Sequence, residues 1–171
     1  MLPTHINRND YLFQDGIDYA KNGGYIDFTT SMDPTQPGGH GLKASKALKL
    51  ALDAGVPVTH ITFSSDGQGS LPVFNAAGEF IGLGVGKVMS LYQEMKDAVL
   101  VEGVAFEDAL KVVTSNTADC LKLTSKGHIF ENADADLVLL DQDTLEIDTV
   151  FAKGQKMVAD KKLIVKGTFE N

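Results

Sequence analysis

The sequence holds one cysteine and no tryptophan in 171 residues. A lone Cys120 excludes an intrachain disulfide, and Ala118, Leu121 and Leu123 around it at helical spacing read it as a buried small hydrophobe rather than a reactive thiol. No apolar run approaches the ~20 residues needed to cross a bilayer, and no basic-then-apolar leader opens the chain, so the expectation is a cytoplasmic protein with no membrane partner. Basic residues are outnumbered, 15 against 23 acidic, and both signs are interspersed, which argues against a nucleic-acid surface. The four histidines never fall in His-x-His or His-Glu-x-x-His spacing and there is no cysteine pair, so the usual metal-binding grammar gives no self-sufficient site.

What is present is an alternation of short β-rich runs and helical periods. Residues 2–6 read as a short strand, residues 10–20 as a helix stopped by Asn22-Gly23-Gly24, and Tyr25-Ile-Asp-Phe-Thr29 as a second strand. Residues 30–41 carry two prolines and a cluster of glycines and read as a long functional loop. A helix over 42–54, closed by Gly55 and Pro57, leads into a strand from Val58 to Asp66. Strand, helix, strand, helix, strand with short connections is the pattern of parallel βαβ units. Beyond Asp66 the sequence places a turn at Asn75-Ala-Ala-Gly78 and helices over 87–100, 106–113 and 116–123, the last capped near Ser115 or Asn116. From Gly127 the pattern changes to short strands at His128-Ile-Phe, 135–141, 147–152, 155–158 and 163–165, an antiparallel layer. The expected domains are therefore 1–125, α/β, and 126–171, β.

The stretch Val58-Thr-His-Ile-Thr-Phe-Ser-Ser-Asp-Gly-Gln-Gly-Ser70 is the best candidate for chemistry. Strand periodicity puts His60, Thr62, Ser64 and Asp66 on one face, with Asp66 at the C-terminal end where parallel sheets bind ligands. A plain Asp-Gly turn accounts for the same residues. His60 lies about 20 Å from Asp66 at ~3.3 Å per residue and cannot share a metal with it. His5 ends its own strand, three residues before Arg8, and a terminal-strand histidine has a structural reading as well as a ligand one. Gly82-Leu-Gly-Val-Gly-Lys87 lacks the spacing of a phosphate loop and reads as a flexible helix entry, and Ser64, Ser65 and Ser70 form no nucleophile elbow.

Three motifs together resemble a known family: Pro3-Thr-His-Ile-Asn-Arg-Asn9, Ser64-Ser-Asp-Gly-Gln-Gly-Ser70, and Thr114-Ser-Asn-Thr-Ala with Lys126-Gly-His-Ile and Asp134-Ala-Asp-Leu-Val-Leu. The third is similar to the C-terminal signature of the amidohydrolase superfamily, and the first two resemble the isoaspartyl (β-aspartyl) dipeptidases. The resemblance implies the C-terminal part of a TIM-type (β/α)8 barrel followed by a small antiparallel β-sandwich layer. Residues 2–6 would be barrel strand six, 25–29 strand seven and 58–66 strand eight.

It implies His5 as ligand to one of two zinc ions, Asp66 as ligand to the other and general base, and Arg8 and Ser70 as substrate contacts. The family's remaining metal ligands have no counterpart in these residues. The expectation is thus a β-aspartyl dipeptide hydrolase of which this chain carries part, inactive alone, its partners a missing N-terminal barrel half and further copies of itself. Two alternatives are a non-catalytic piece that docks on a partner to complete a split barrel, and another amidohydrolase such as a dihydroorotase-like or deacetylase-like enzyme. Unpaired edges at strands six and eight would drive association.

Overall fold

In the structure, a computed structural model that describes residues 1–37 and 39–167, the chain divides into two units, Met1–Leu121 and Lys122–Asn171. The division falls shortly before Ser125, where the sequence changes character.

In the first unit, helix α1 (Asp10–Lys21) starts beneath Asn9, whose side chain accepts from the Leu12 backbone N–H at 2.8 Å. It buries Gly16, Ile17 and Ala20 and ends at Asn22, with Gly23 at φ 92° supplying the left-handed exit. Strand β1 (Ile26–Thr29), helix α2 (Ala44–Asp53) and strand β2 (Ile61–Ser64) form a βαβ unit, with β1 and β2 parallel and Ile26 opposite Ile61, Asp27 opposite Thr62, Phe28 opposite Phe63 and Thr29 opposite Ser64. Because side chains alternate across a strand, Ile26, Phe28, Ile61 and Phe63 share the apolar face. They join Leu48, Ala51, Met95 and Val112 in the core. Phe28 sits between Phe13 at 5.8 Å and Phe63 at 6.4 Å, ring centre to ring centre.

The other face is polar and equally buried. Asp27, Thr29 and Thr62 are each no more than 2% exposed, which departs from the uniformly apolar strands usual in parallel sheets.

Two expected strand segments are not strands. Residues 2–6 lead into a 3-10 turn, Ile6–Arg8, and give β1 one ladder-like bond, Pro3 C=O accepting from Asp27 N–H at 3.1 Å. Pro3 has no N–H to return, and the Asn7 amide takes the place of backbone pairing. Its Nδ2 donates to Thr29 C=O at 3.0 Å and Leu42 C=O at 2.7 Å, while its Oδ1 accepts from Thr29 N–H at 2.8 Å. Val58–His60 is likewise a 3-10 turn after Pro57, and Asn116 Nδ2 donates to the carbonyls of Val58 and Ile61. Asparagine side chains thus bind the backbone beside both strands, and β1 is buried along its whole length. Asn116 serves this tie rather than capping helix α5.

Strands β3 (Ser70–Phe74) and β4 (Phe80–Val85) form an antiparallel hairpin. Its turn is held by Asn75 Oδ1, which accepts from the N–H groups of Ala77 and Glu79. The glycines expected to make a flexible helix entry are instead part of β4, where Gly82 and Gly84 alternate with exposed Ile81, Leu83 and Val85. Helices α3 (Ser90–Leu100), α4 (Phe106–Val113) and α5 (Ser115–Cys120) follow. Glu94 of α3, 5% exposed, accepts from the Ser45 N–H in the first turn of α2 at 2.8 Å and pairs with Lys43 at 3.4 Å. Cys120 is half-buried rather than enclosed.

The second unit is a four-stranded antiparallel sheet in chain order: β5 (Leu137–Leu140), β6 (Ile147–Ala152), β7 (Gln155–Ala159) and β8 (Lys162–Leu163). Residues 128–130 form no strand, and Ile129 stands 91% exposed. Lys126 bridges Asp134, at 2.8 Å, and Asp136, which fixes the entry to β5. Among the described residues of this unit the strands form one sheet.

Candidate functional site

The polar face of the β1–β2 pair organises the candidate site. His5 sits at the start of the Ile6–Arg8 turn with left-handed backbone angles, φ 60° and ψ 28°, and its Nδ1 is 2.5 Å from Thr29 Oγ1. Engaging Nδ1 leaves Nε2 as the nitrogen available to a ligand. Thr29 itself is fixed by the Asn7 amide, so β1 holds the histidine through one hydroxyl.

Beside this pair lies Asp27, which sequence reasoning treated as an ordinary strand residue. Its Oδ1 accepts from Thr62 Oγ1 at 2.8 Å and its Oδ2 from Ser64 Oγ. Burial pushes the Asp27 carboxyl above the usual carboxylate range, and the two hydroxyl donors and the nearby His5 oppose that shift without cancelling it. The signal in the sequence was a charged residue in the middle of Ile-Asp-Phe. The partners at 35 and 37 positions' separation were not readable.

Asp66 follows β2 by two residues, at the expected C-terminal end, and is exposed. Its backbone is left-handed, φ 49°, an uncommon conformation for a residue with a side chain. The Asp66 carbonyl accepts from Gly69 N–H at 3.0 Å, and Gly86 packs so closely that a Cβ there would come within 2.5 Å of the same oxygen. Gln68 N–H to Gly86 C=O and Gly86 N–H to Gly69 C=O close the turn against the base of the hairpin. Among the described residues the Asp66 carboxylate accepts no hydrogen bond. Backbone fixed and side chain free is an arrangement suited to meeting a ligand. Ser70, exposed, opens β3 opposite Val85, on the same turn.

Arg8 is exposed at the end of its turn, with its N–H bonded to His5 C=O at 3.0 Å. Gly41 lies against the same backbone, where a Cβ would fall 2.4 Å from Arg8 C=O, and its φ of 78° also calls for glycine. His60 does not share a strand face with Asp66: its Nδ1 is 3.2 Å from Ala20 C=O and its ring packs 5.1 Å from Tyr25. The fold thus bonds His5 to Thr29, bonds Asp27 to Thr62 and Ser64 beside them, and sets Asp66 with Ser70 in one turn. No side-chain hydrogen bond or ion pair joins His5, Arg8, Asp66 and Ser70 to one another among the described residues.

Among the described residues, no group of three or more His, Cys, Asp or Glu side chains is placed to hold a metal ion. Among them, too, no helix is long and apolar enough to cross a membrane.

Residues 42–169, including Asp66 and Ser70, match the model of the amidohydrolase family. The chain belongs to the amidohydrolase family. This amidohydrolase chain is similar to a crystal structure of β-aspartyl dipeptidase from Fervidobacterium islandicum AW-1 in complex with a β-Asp-Leu dipeptide. The two are 35% identical with a TM-score of 0.80, over 98% of this chain and 42% of that one. A second structure of β-aspartyl dipeptidase from the same organism gives 30% identity and 0.75, over 98% and 40%. Enamidase, 15% identical with a TM-score of 0.65 over 94% of this chain and 41% of that one, shares the fold. The adenine deaminase of Desulfitobacterium hafniense (strain Y51) is 37% identical over 59 residues, 34% of this chain and 10% of that protein. The amidohydrolase chain therefore spans less than half the length of the dipeptidases it matches, and their likeness, unlike the family match, extends over nearly the whole chain, where His5 and Arg8 also lie.

Proposed function

We propose that this chain carries the C-terminal part of the active site of a β-aspartyl (isoaspartyl) dipeptidase. The observation that carries the reading is the 35% identity, over 98% of the chain, to a dipeptidase solved with a β-Asp-Leu dipeptide. In this reading β1 and β2 are strands seven and eight of a (β/α)8 barrel, and residues 2–8 stand in the place of strand six. The parallel β1–α2–β2 unit and the single Pro3–Asp27 backbone bond support that placement.

His5, through Nε2, and Asp66 would each give one ligand to a two-zinc centre, and the remaining ligands would come from polypeptide beyond these 171 residues. In a complete centre zinc would supply acidification of the attacking water and polarisation of the scissile carbonyl. The tasks of this chain's own residues are distinct from that. Asp66 accepts the proton of the attacking water and returns it to the leaving amine. Arg8 holds a substrate carboxylate through its guanidinium fork, and Ser70 offers a hydroxyl to the same substrate. The reading places the protein in the cytoplasm, with further copies of itself as partners.

The test is to co-express the chain with a polypeptide that supplies the remaining barrel strands and ligands, then assay a panel of amides. Release of the amine from a β-aspartyl dipeptide, with about two zinc ions per complex, is the expected outcome. Preference for a cyclic ureide or an N-acetyl sugar would replace the dipeptidase reading with another amidohydrolase activity. A second reading is a non-catalytic piece that only docks on a partner to complete the barrel. It predicts a stable complex with neither zinc nor turnover.

A further inference from the structure

We propose that Asp27 is a positioning residue that acts through Ser64 on Asp66, a role that rests on the dipeptidase reading for its purpose but not for its geometry. Ser64 ends β2 and is held at two points: its carbonyl accepts from the N–H of Thr30, the residue after β1, at 2.8 Å, and its hydroxyl donates to Asp27 Oδ2 of β1. Asp66 lies two residues further on. Its turn is pinned from the far side by Gly69 and Gly86 at the base of the hairpin. Left-handed backbone at a residue bearing a side chain is strained, and it persists where both flanks are fixed. Asp27 fixes the near flank.

The chemistry of Asp27 fits that task better than a purely structural one. Thr62 and Ser64 are i and i+2 on one strand, so both hydroxyls face Asp27, and a carboxylate offers one acceptor oxygen to each. Burying a carboxylate with hydroxyl partners alone costs stability, and an apolar side chain would fill the space at lower cost. The contrast is with Glu94. That buried carboxylate pairs with Lys43 and accepts from the first turn of a helix, so its charge is answered. Among the described residues Asp27 joins no ion pair. A group kept in the core at a cost, and tied to the strand end that bears Asp66, is where a fold trades stability for placement.

The test needs neither metal nor substrate. Amide hydrogen exchange is measured on the whole 171-residue chain for the parent, Asp27→Ala and Asp27→Asn. Asp27→Ala removes both acceptors and should speed exchange of the Gln68, Gly69 and Gly86 amides about tenfold while the amides of α1 and α2 stay as in the parent. Asp27→Asn keeps an oxygen for Ser64 and should restore slow exchange in the turn. If Asp27→Ala does not fold, Ser64→Ala deletes one hydroxyl and must loosen the same three amides. Unchanged turn amides, or equal acceleration throughout the unit, would overturn the proposal. Failure of the co-expressed complex to hydrolyse dipeptides would remove the dipeptidase reading and leave the exchange result standing.

Discussion

Asp66 combines a clamped backbone with an unengaged carboxylate, so its substitution separates chemistry from folding. Asp66→Asn is isosteric and leaves φ 49° accessible, because asparagine tolerates the left-handed region. The variant should therefore match the parent in thermal stability. In an active complex it should lose turnover by 10²-fold or more, on the order expected for a missing general base. Near-parent kcat would take Asp66 out of the reaction. Arg8→Met should cost about 2–5 kcal/mol in kcat/KM with zinc content unchanged. If an amide analogue of the substrate loses as much as the free acid, Arg8 is not the carboxylate receptor.

Asp27 makes a pH prediction with a defined sign. Burial raises its folded carboxyl above the usual carboxylate range, so the native state holds the proton more tightly than the unfolded chain. That contribution to stability is fully present below the unfolded value and is lost as pH rises through the folded one. The difference in stability between parent and Asp27→Asn, followed by thermal unfolding across a pH series, should shift in the variant's favour as pH rises from acid toward neutral. A difference independent of pH would mean the buried carboxylate is not raised. At this scale the position of Asp66 just past a strand was readable, since Gly67 and Gly69 punctuate the sequence there, whereas His5 precedes a 3-10 turn and not the expected strand end. The ties made by Asn7, Asp27 and Asn116 were not readable, because each joins residues 22 to 58 positions apart.

Among the elements, the helices were legible because their apolar positions repeat with the helical period and a glycine or asparagine stops them. Residues 2–6 and 58–60 were misread for a shared reason. Their composition favours an extended chain, but residues 2–6 make only one backbone bond to β1, and side-chain amides of Asn7 and Asn116 pair with the backbone instead. The glycines of β4 failed in the opposite direction: they look like a loop, yet the register with β3 sets Gly82 and Gly84 opposite Val73 and Leu71. Phe28 tests the core these elements share. It is fully buried between Phe13 and Phe63 on the apolar face of β1, so Phe28→Ala should destabilise the first unit by about 3–5 kcal/mol. Urea unfolding followed by near-ultraviolet circular dichroism measures it, and a loss under about 1 kcal/mol would mean that β1 does not carry the core.

For the whole molecule, the sequence changes period near residue 125, and the structure divides between Leu121 and Lys122. Open barrel edges were the expected cause of association, and the β3–β4 hairpin offers another, a run of exposed apolar side chains. Phe80, Ile81, Leu83 and Val85 are all more than half exposed there. Two-stranded hairpins are marginal on their own and gain from added strands or a covered face. Charge favours a second copy as the cover: the chain carries a net charge of −8, yet Ser70 to Val85 bears one charged residue, Glu79 at the turn. The isolated chain should therefore run above its monomer mass of 18.3 kDa in light scattering, bind no stoichiometric zinc and leave a β-aspartyl dipeptide intact. Ile81→Lys with Leu83→Lys should return it toward monomer without unfolding the first unit, since both side chains point into solvent. A monodisperse parent would assign the exposed hairpin to a different protein, and stoichiometric zinc with turnover in the isolated chain would overturn the division of the active site between this chain and another.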